Sequence, residues 1–247
     1  MVVTVGLRHA EIELHGVDEG RLGQGDAARG SRAHLEQQPV AAGDQLGIED
    51  DTLFIFAGDN GPEFRRPWRG TAVPWTCTYH AAMEGSLRVP LIGRWPGRVE
   101  SGWVSDDIVR LTDLYSTLIA AACGALPEDR PIDGVNQLGW WTGAAEKSAR
   151  EGFVFYVKTE LRAAKWRHWK LHFILESEAN QGPIHLETPA LFKLKRDPME
   201  ETDAAMDDGW VRGPMRRMVM AFEQSLREHP VTPPSAPDDF DPTGARR

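Results

Sequence analysis

The sequence predicts an α/β fold: a sheet covered by helices, followed by a small C-terminal antiparallel sheet plus helix. Three observations carry this. Residues 52–57, Thr-Leu-Phe-Ile-Phe-Ala, form a short apolar run between acidic residues and a Gly-Pro turn, the pattern of a buried strand. Residues 106–123 place Ile108, Val109, Leu111, Leu114, Tyr115, Leu118 and Ile119 on one helical stripe. Residues 153–157, 161–166 and 169–175 are short alternating runs rich in aromatic and aliphatic side chains, as in an antiparallel sheet.

In chain order, residues 2–7 read as a short strand. From there to residue 45, Gly, Arg, Gln, His and Ala dominate and no period of a strand or helix persists. Two origins stay open for residues 1–45: a divergent or disordered N-terminus, or a stretch up to about Asp44 read out of frame or from a wrong start. Translating the upstream DNA in the other frames separates them. Residues 52–57 follow as the buried strand, and burial on both faces implies a largely parallel sheet. Residues 58–88 are a loop made basic by Arg65, Arg66 and Arg69, suited to an anionic ligand or simply solvated. Residues 89–94 read as a second strand, stopped by Trp95-Pro96-Gly97. The helix over 106–123 has Ser105 as N-cap, Asp106 and Asp107 in its first turn and Gly124 as its stop, with Cys123 buried and inert at its end. Residues 207–227 carry Trp210, Val211, Met215, Met218, Val219, Phe222 and Leu226, a further helix. Residues 229–247 hold five prolines among Asp and Gly and read as a disordered tail. The expected units are 1–45, an atypical segment; 46–150, an α/β core; 151–228, the antiparallel sheet and helix; and 229–247, the tail.

Composition narrows the function classes. The 247 residues suffice for one large domain or two small ones, and 41% hydrophobic residues allow a real core. A formal net charge of −9 argues against a general nucleic-acid binder. No apolar run approaches the roughly 20 residues of a membrane span. The N-terminus shows no apolar signal-peptide core, and nothing in the residues fixes a compartment. Cys77 and Cys123 make no disulfide framework. The tryptophans of the aromatic-polar alternation near 153–173 suggest sheet packing rather than a nucleic-acid platform.

Candidate chemistry sits where the first strand ends, at Asp59-Asn60-Gly61-Pro62. Strand C-termini in open α/β sheets are where ligands bind. A carboxylate and an amide carbonyl are hard oxygen donors suited to Ca²⁺ or Mg²⁺, and Gly61 lets the backbone turn beneath them. The same four residues also make an ordinary turn. A second block follows at 82–97, Ala-Met-Glu-Gly-Ser-Leu-Arg-Val-Pro-Leu-Ile-Gly-Arg-Trp-Pro-Gly. Together with Asp59-Asn60-Gly61 it resembles the sulfatase family of the alkaline-phosphatase-like superfamily. That family has a strand ending in Asp-Asn-Gly, then Glu-Gly-(Gly/Ser)-x-Arg-x-Pro, then a strand running into Trp-Pro-Gly. The helix after Ser105, the Asp133-Gly134-Val135 segment and the stretch from Leu191 to Asp197-Pro198-Met199-Glu200 resemble further family blocks in the same order, over about residues 46–205.

The resemblance implies a truncated alkaline-phosphatase-like sheet and a sulfuric ester hydrolase activity on sulfate-ester small molecules. It implies Ca²⁺ with Asp59 and Asn60 as surviving ligands, and Arg69 and His80 as substitutes for an anion-binding lysine the family has before its Glu-Gly block. No lysine precedes Lys147 here. The family nucleophile, the Cys or Ser of Cys/Ser-x-Pro-x-Arg, is absent, and so is the Asp-Asp metal pair of its first strand. No catalytic residue is therefore assigned, and the chain reads as an inactive C-terminal portion holding half a metal site, binding metal weakly or not at all. Its incomplete sheet implies association through exposed surfaces. Glu84 and Arg88 invite a catalytic reading, but a buried hydrogen-bonded pair is the simpler use of them. The rival readings are a non-catalytic relative that binds a partner or a sulfated ligand, and a phosphatase or phosphodiesterase of the same superfamily.

Overall fold

A computed structural model of the chain describes residues 2–6, 13–14, 46–63, 70–176 and 182–230. The segments 15–45 and 231–247, on which an atypical N-terminus and a disordered tail are expected, lie outside the described residues.

The first sheet comprises β1 (Val2–Gly6), β2 (Glu13–Leu14), β3 (Thr52–Ala57) and β4 (Leu91–Arg94), in the order β2-β1-β3-β4. The largely parallel arrangement expected for β3 is not what forms among the described residues: β3 runs antiparallel to β1 and to β4, with Ile55 opposite Val3 on one side and Gly93 on the other. The apolar run reports burial, which is real, since Leu53 and Ile55 are 1% exposed and Phe54 5%. It does not report strand direction, which the connections set. One face of β3 packs Leu53 and Ile55 against Trp95 and Leu114, with Leu111, Leu118, Leu138 and Trp141 around them.

Leu111, Leu114 and Leu118 belong to α2 (Leu111–Ala121), while α1 (Glu84–Leu87) is a single turn inside the stretch expected to be loop. α2 begins five residues later than its apolar stripe suggests. Ser105 is not its cap. Arg110 holds the N-cap position, and its backbone N–H donates to the Asp113 carboxylate at 2.9 Å, half of a capping box. The residues before it are pinned elsewhere: Ser148 N–H donates to Asp107 at 3.0 Å, and the Ser148 hydroxyl to the Ile108 carbonyl at 2.6 Å. At the other end, Cys123 N–H donates to the Ala120 carbonyl and Gly124 N–H to that of Ile119, the paired bonds of a Schellman motif. The left-handed position falls on Cys123 (φ 56°) rather than on Gly124. Cys123 is exposed, not buried: it lies past the end of α2, beyond Ala121, the last residue of the stripe that packs on β3.

The second sheet is an antiparallel meander of β5 (Gly152–Val157), β6 (Glu160–Trp166), β7 (Trp169–Leu175) and β8 (Ile184–Lys193). The first three match their alternation; β8 was legible only as part of a motif, because Glu187, Thr188 and Pro189 interrupt its apolar pattern. Val154, Ala164, Trp169, Leu171 and Leu191 pack against Val211, Met215 and Val219. Met215 and Val219 lie on α4 (Arg212–Glu228), whose Met215 is 0% exposed. Each such fully buried aliphatic side chain stabilises the fold by about 1.5–3 kcal/mol. A short α3 (Leu138–Trp141) completes the described helices, none of which is long and apolar enough to cross a membrane.

Candidate functional site

The end of β3 is held by backbone contacts before any functional side chain is considered. Gly58 N–H donates to the Pro90 carbonyl at 3.2 Å and Gly61 N–H to the Ser86 carbonyl at 2.8 Å. The turn therefore lies directly on α1. A side chain at Gly61 would run into the Gly85 carbonyl, and one at Gly85 into the Thr76 and Cys77 carbonyls, so each glycine is required by a close approach. Gly85 N–H donates to the Thr76 carbonyl and Tyr79 N–H to that of Pro62, drawing the 70–80 loop onto the same corner.

On this base Asp59 and Asn60 are exposed. Asp59 Oδ1 accepts the Asn60 N–H at 2.9 Å, and Asn60 Nδ2 donates to the Gly61 carbonyl at 2.7 Å. The bond from Nδ2 fixes the amide so that its carbonyl oxygen is the end left to meet a ligand. His80 is exposed at φ 77°, its ring 3.8 Å from that of Tyr79. Cys77, at φ 71°, is a second non-glycine residue in the left-handed region of this loop. Such strain tends to gather at ligand sites. Arg69, with Arg65 and Arg66, lies outside the described residues. As a cation site the corner is incomplete. Two oxygen donors fall short of the roughly six to eight of a calcium shell, and no group of three or more His, Cys, Asp or Glu side chains stands close enough to hold a metal among the described residues.

Beneath the corner is an ionic cluster. Glu84 is 1% exposed. Its Oε2 accepts from Arg88 Nε at 2.7 Å and Lys165 Nζ at 2.7 Å, and its Oε1 from Lys170 Nζ at 3.1 Å. Lys170 Nζ also reaches Glu200 Oε1 at 3.1 Å, and His172 Nε2 lies 2.7 Å from the same oxygen. The other Glu200 oxygen accepts the Glu84 backbone N–H at 2.7 Å. Burial pushes the Glu84 carboxyl up, but Lys170, Lys165 and Arg88 outweigh it and hold it well below the usual carboxylate range. Glu200 is lowered in the same way, burial being outweighed by Lys170 and His172. Burial pushes His172 down despite Glu200, so its ring is neutral at pH 7. Glu84 and Arg88 thus form the buried pair expected of them, and they serve the architecture: the cluster clamps the second sheet onto α1, and α1 supports Asp59-Asn60-Gly61.

Lys165, Lys170 and His172 were not singled out in the sequence, and Glu200 only as the last residue of the Asp197-Pro198-Met199-Glu200 block. One signal was available. In the hairpin of β6 and β7, Lys165 stands directly opposite Lys170. Two like charges facing each other across strands are unfavourable unless an anion bridges them, and Glu84 is that anion.

A family model for sulfatases matches residues 40–125, and one for the C-terminal region of aryl-sulfatase matches residues 148–241. Arylsulfatase A of Homo sapiens is 30% identical over 223 residues, covering 83% of this chain and 43% of its own. Arylsulfatase D of Homo sapiens is 27% identical over 223 residues, covering 78% and 37%. The solved structure of the PsFucS1 sulfatase from Pseudoalteromonas sp. superposes with a TM-score of 0.75 at 26% identity, covering 81% of this chain and 43% of its own. The chain spans about two fifths of the length of the curated relatives it matches.

Proposed function

The chain belongs to the arylsulfatase-like sulfatases, and from that premise we propose that it carries the C-terminal part of a sulfate-ester hydrolase site. Asp59 and Asn60 are one carboxylate and one amide oxygen of a divalent-cation site, and Arg69 and His80 are cationic or donor groups for the sulfate. These 247 residues alone do not hydrolyse sulfate esters. The observation that carries the reading is the seating of Asp59-Asn60-Gly61 on the Glu84–Leu87 turn, where paired glycines place two oxygen donors at a strand end. The absence of hydrolysis rests on chemistry the sequence lacks. Attack on sulfur needs an activated nucleophile, and no Cys/Ser-x-Pro-x-Arg occurs anywhere in the chain.

The test is purified 1–247 with an aryl sulfate, with and without Ca²⁺. No turnover above buffer is expected. Turnover that Asp59→Ala removes would overturn the proposal. A second reading is favoured by the preassembled anchor of paired charges under the corner: a non-catalytic relative that binds a sulfated ligand. Calorimetric titration of a non-hydrolysed aryl sulfate separates the two, since heat abolished by His80→Ala supports the second and no heat supports the first.

A further inference from the structure

At the β6–β7 hairpin, on the sheet face opposite the one that carries Lys165 and Lys170, three indoles meet edge to face. Trp210 lies with its ring centroid 6.4 Å from that of Trp166 and 6.3 Å from that of Trp169. Trp169 is buried and packs in the core, but Trp210 is 64% exposed. A large apolar ring left in water at the edge of an otherwise packed cluster is the kind of surface that marks an interaction site. Cations lie on the other two rings. Arg167 lies over the Trp166 ring at 4.8 Å and Lys193 Nζ over the Trp169 ring at 4.6 Å. His168 packs on Trp169 at 5.1 Å between centroids, and Lys195 is exposed on the turn after β8. Leu194 N–H donates to the His168 carbonyl at 2.9 Å, which sets Lys195 beside the hairpin, and burial with the charges of Lys195, Lys193 and Arg167 pushes His168 down against Asp208.

Two carboxylates enter the patch, and each pairs with one of its three cations. Glu151 pairs with Arg167 at 2.7 Å and Asp208 with Lys193 at 3.6 Å. Lys195 remains in excess, on a chain whose formal net charge is −9. A local positive surface on an acidic protein selects an anionic partner by charge. The exposed indole adds a flat apolar face. A ring with an apolar face and anionic substituents satisfies both features at once. A repeating polymer of such rings also needs no enclosed pocket.

We propose that the Trp210 face, with Arg167, His168, Lys193 and Lys195, is a docking surface for a sulfated polysaccharide chain, separate from the Asp59-Asn60 corner. A saccharide ring lies on the Trp210 indole while its sulfates meet the cations. The surface does not depend on whether the corner is catalytic, so either assignment can fail without the other.

The experiment uses the full 247-residue chain and follows tryptophan fluorescence during titration with dextran sulfate, with unsulfated dextran of matched length and with a single-stranded oligothymidylate. Dextran sulfate is expected to bind, more weakly as NaCl rises, and unsulfated dextran is not. Trp210→Ala and Lys195→Glu are each expected to weaken dextran sulfate binding by about tenfold, of the order that loss of an aromatic stacking platform produces. Arg130→Glu, at an exposed arginine outside the patch, leaves it unchanged. Circular dichroism checks that each variant is folded, and Lys195→Glu decides the matter if Trp210→Ala is not. Wild-type affinity in the folded variants, equal binding of unsulfated dextran, or tighter binding of the oligonucleotide than of dextran sulfate each overturns the proposal, the last in favour of a single-strand nucleic-acid surface.

Discussion

Replacing Lys170 by methionine tests whether the ionic cluster holds the two sheets together. Lys170 is 0% exposed, with Nζ 3.1 Å from a carboxylate oxygen of Glu84 and 3.1 Å from one of Glu200. At that separation and an effective dielectric of about 20, each contact is worth about 5 kcal/mol before desolvation. Removing the ammonium keeps the side chain's volume but leaves two buried carboxylates facing each other with less compensation. Glu84 retains Lys165 and Arg88, whereas Glu200 retains only a neutral His172 and a backbone N–H. Breaking a buried pair from one side typically costs about 3–5 kcal/mol, a large part of the roughly 5–15 kcal/mol that holds a domain folded. Urea unfolding followed by tryptophan fluorescence measures the loss. A double-mutant cycle with Glu84→Gln then isolates the pair, because neutralising Glu84 relieves part of the strain in Lys170→Met, and the double variant should be more stable than the sum of the single losses implies. A loss below about 1 kcal/mol for Lys170→Met, or strict additivity in the cycle, refutes the clamp and with it the link from the second sheet to the Asp59-Asn60 turn.

Three further outcomes are expected. Cys123→Gly should stabilise the chain by up to about 1 kcal/mol, because it relieves a non-glycine residue at φ 56° and removes an exposed side chain; a lower thermal midpoint contradicts the helix end described. Gly61→Ala should cost about 2 kcal/mol, since the methyl meets the Gly85 carbonyl and backbone must move, and an unchanged urea midpoint would show that the turn does not rest on α1. Stability should fall on acidification in two stages. His172 is lowered from 6.5, so the unfolded chain takes up its proton first and stability present above about pH 6.5 declines as pH falls through that value. Glu84 and Glu200 are lowered from 4.5, so their contribution is present above that pH and is lost as pH falls further. The check is a pH series of urea midpoints, with His172→Gln flattening the first stage.

The period-2 alternation of 153–175 marks β5, β6 and β7 nearly to the residue, because each hairpin is local, although both faces are buried, Ala164 and Leu171 on one and Ala163, Lys170 and His172 on the other. The helix stripe gave α2, but its start was misplaced. Ser105 is a good cap by type, yet Ser148, some forty residues on, binds the 107–108 backbone and leaves the helix to start at Arg110. The cluster around Glu84 was hidden for the same reason on a larger scale. Its partners lie 81, 86 and 116 positions away, and no periodicity connects them.

The two motifs that carry the family resemblance, Asp59-Asn60-Gly61 and Glu84-Gly85-Ser86, read in the sequence as independent signatures. In the fold they are one object. Gly61 bonds to Ser86, and neither Gly61 nor Gly85 can accept a side chain without displacing backbone. Glu84, one residue away, is locked by Lys165 and Lys170 from the other sheet and by Glu200 beyond the end of β8. The exposed pair Asp59 and Asn60 therefore owes its position to charges it does not touch. A substitution in β7 should move that corner as surely as one in the turn itself, whereas Asp59→Ala, at an exposed side chain bonded only to its neighbour's amide, should change stability by no more than about 0.5 kcal/mol. The asymmetry separates residues that build the site from those left free to bind.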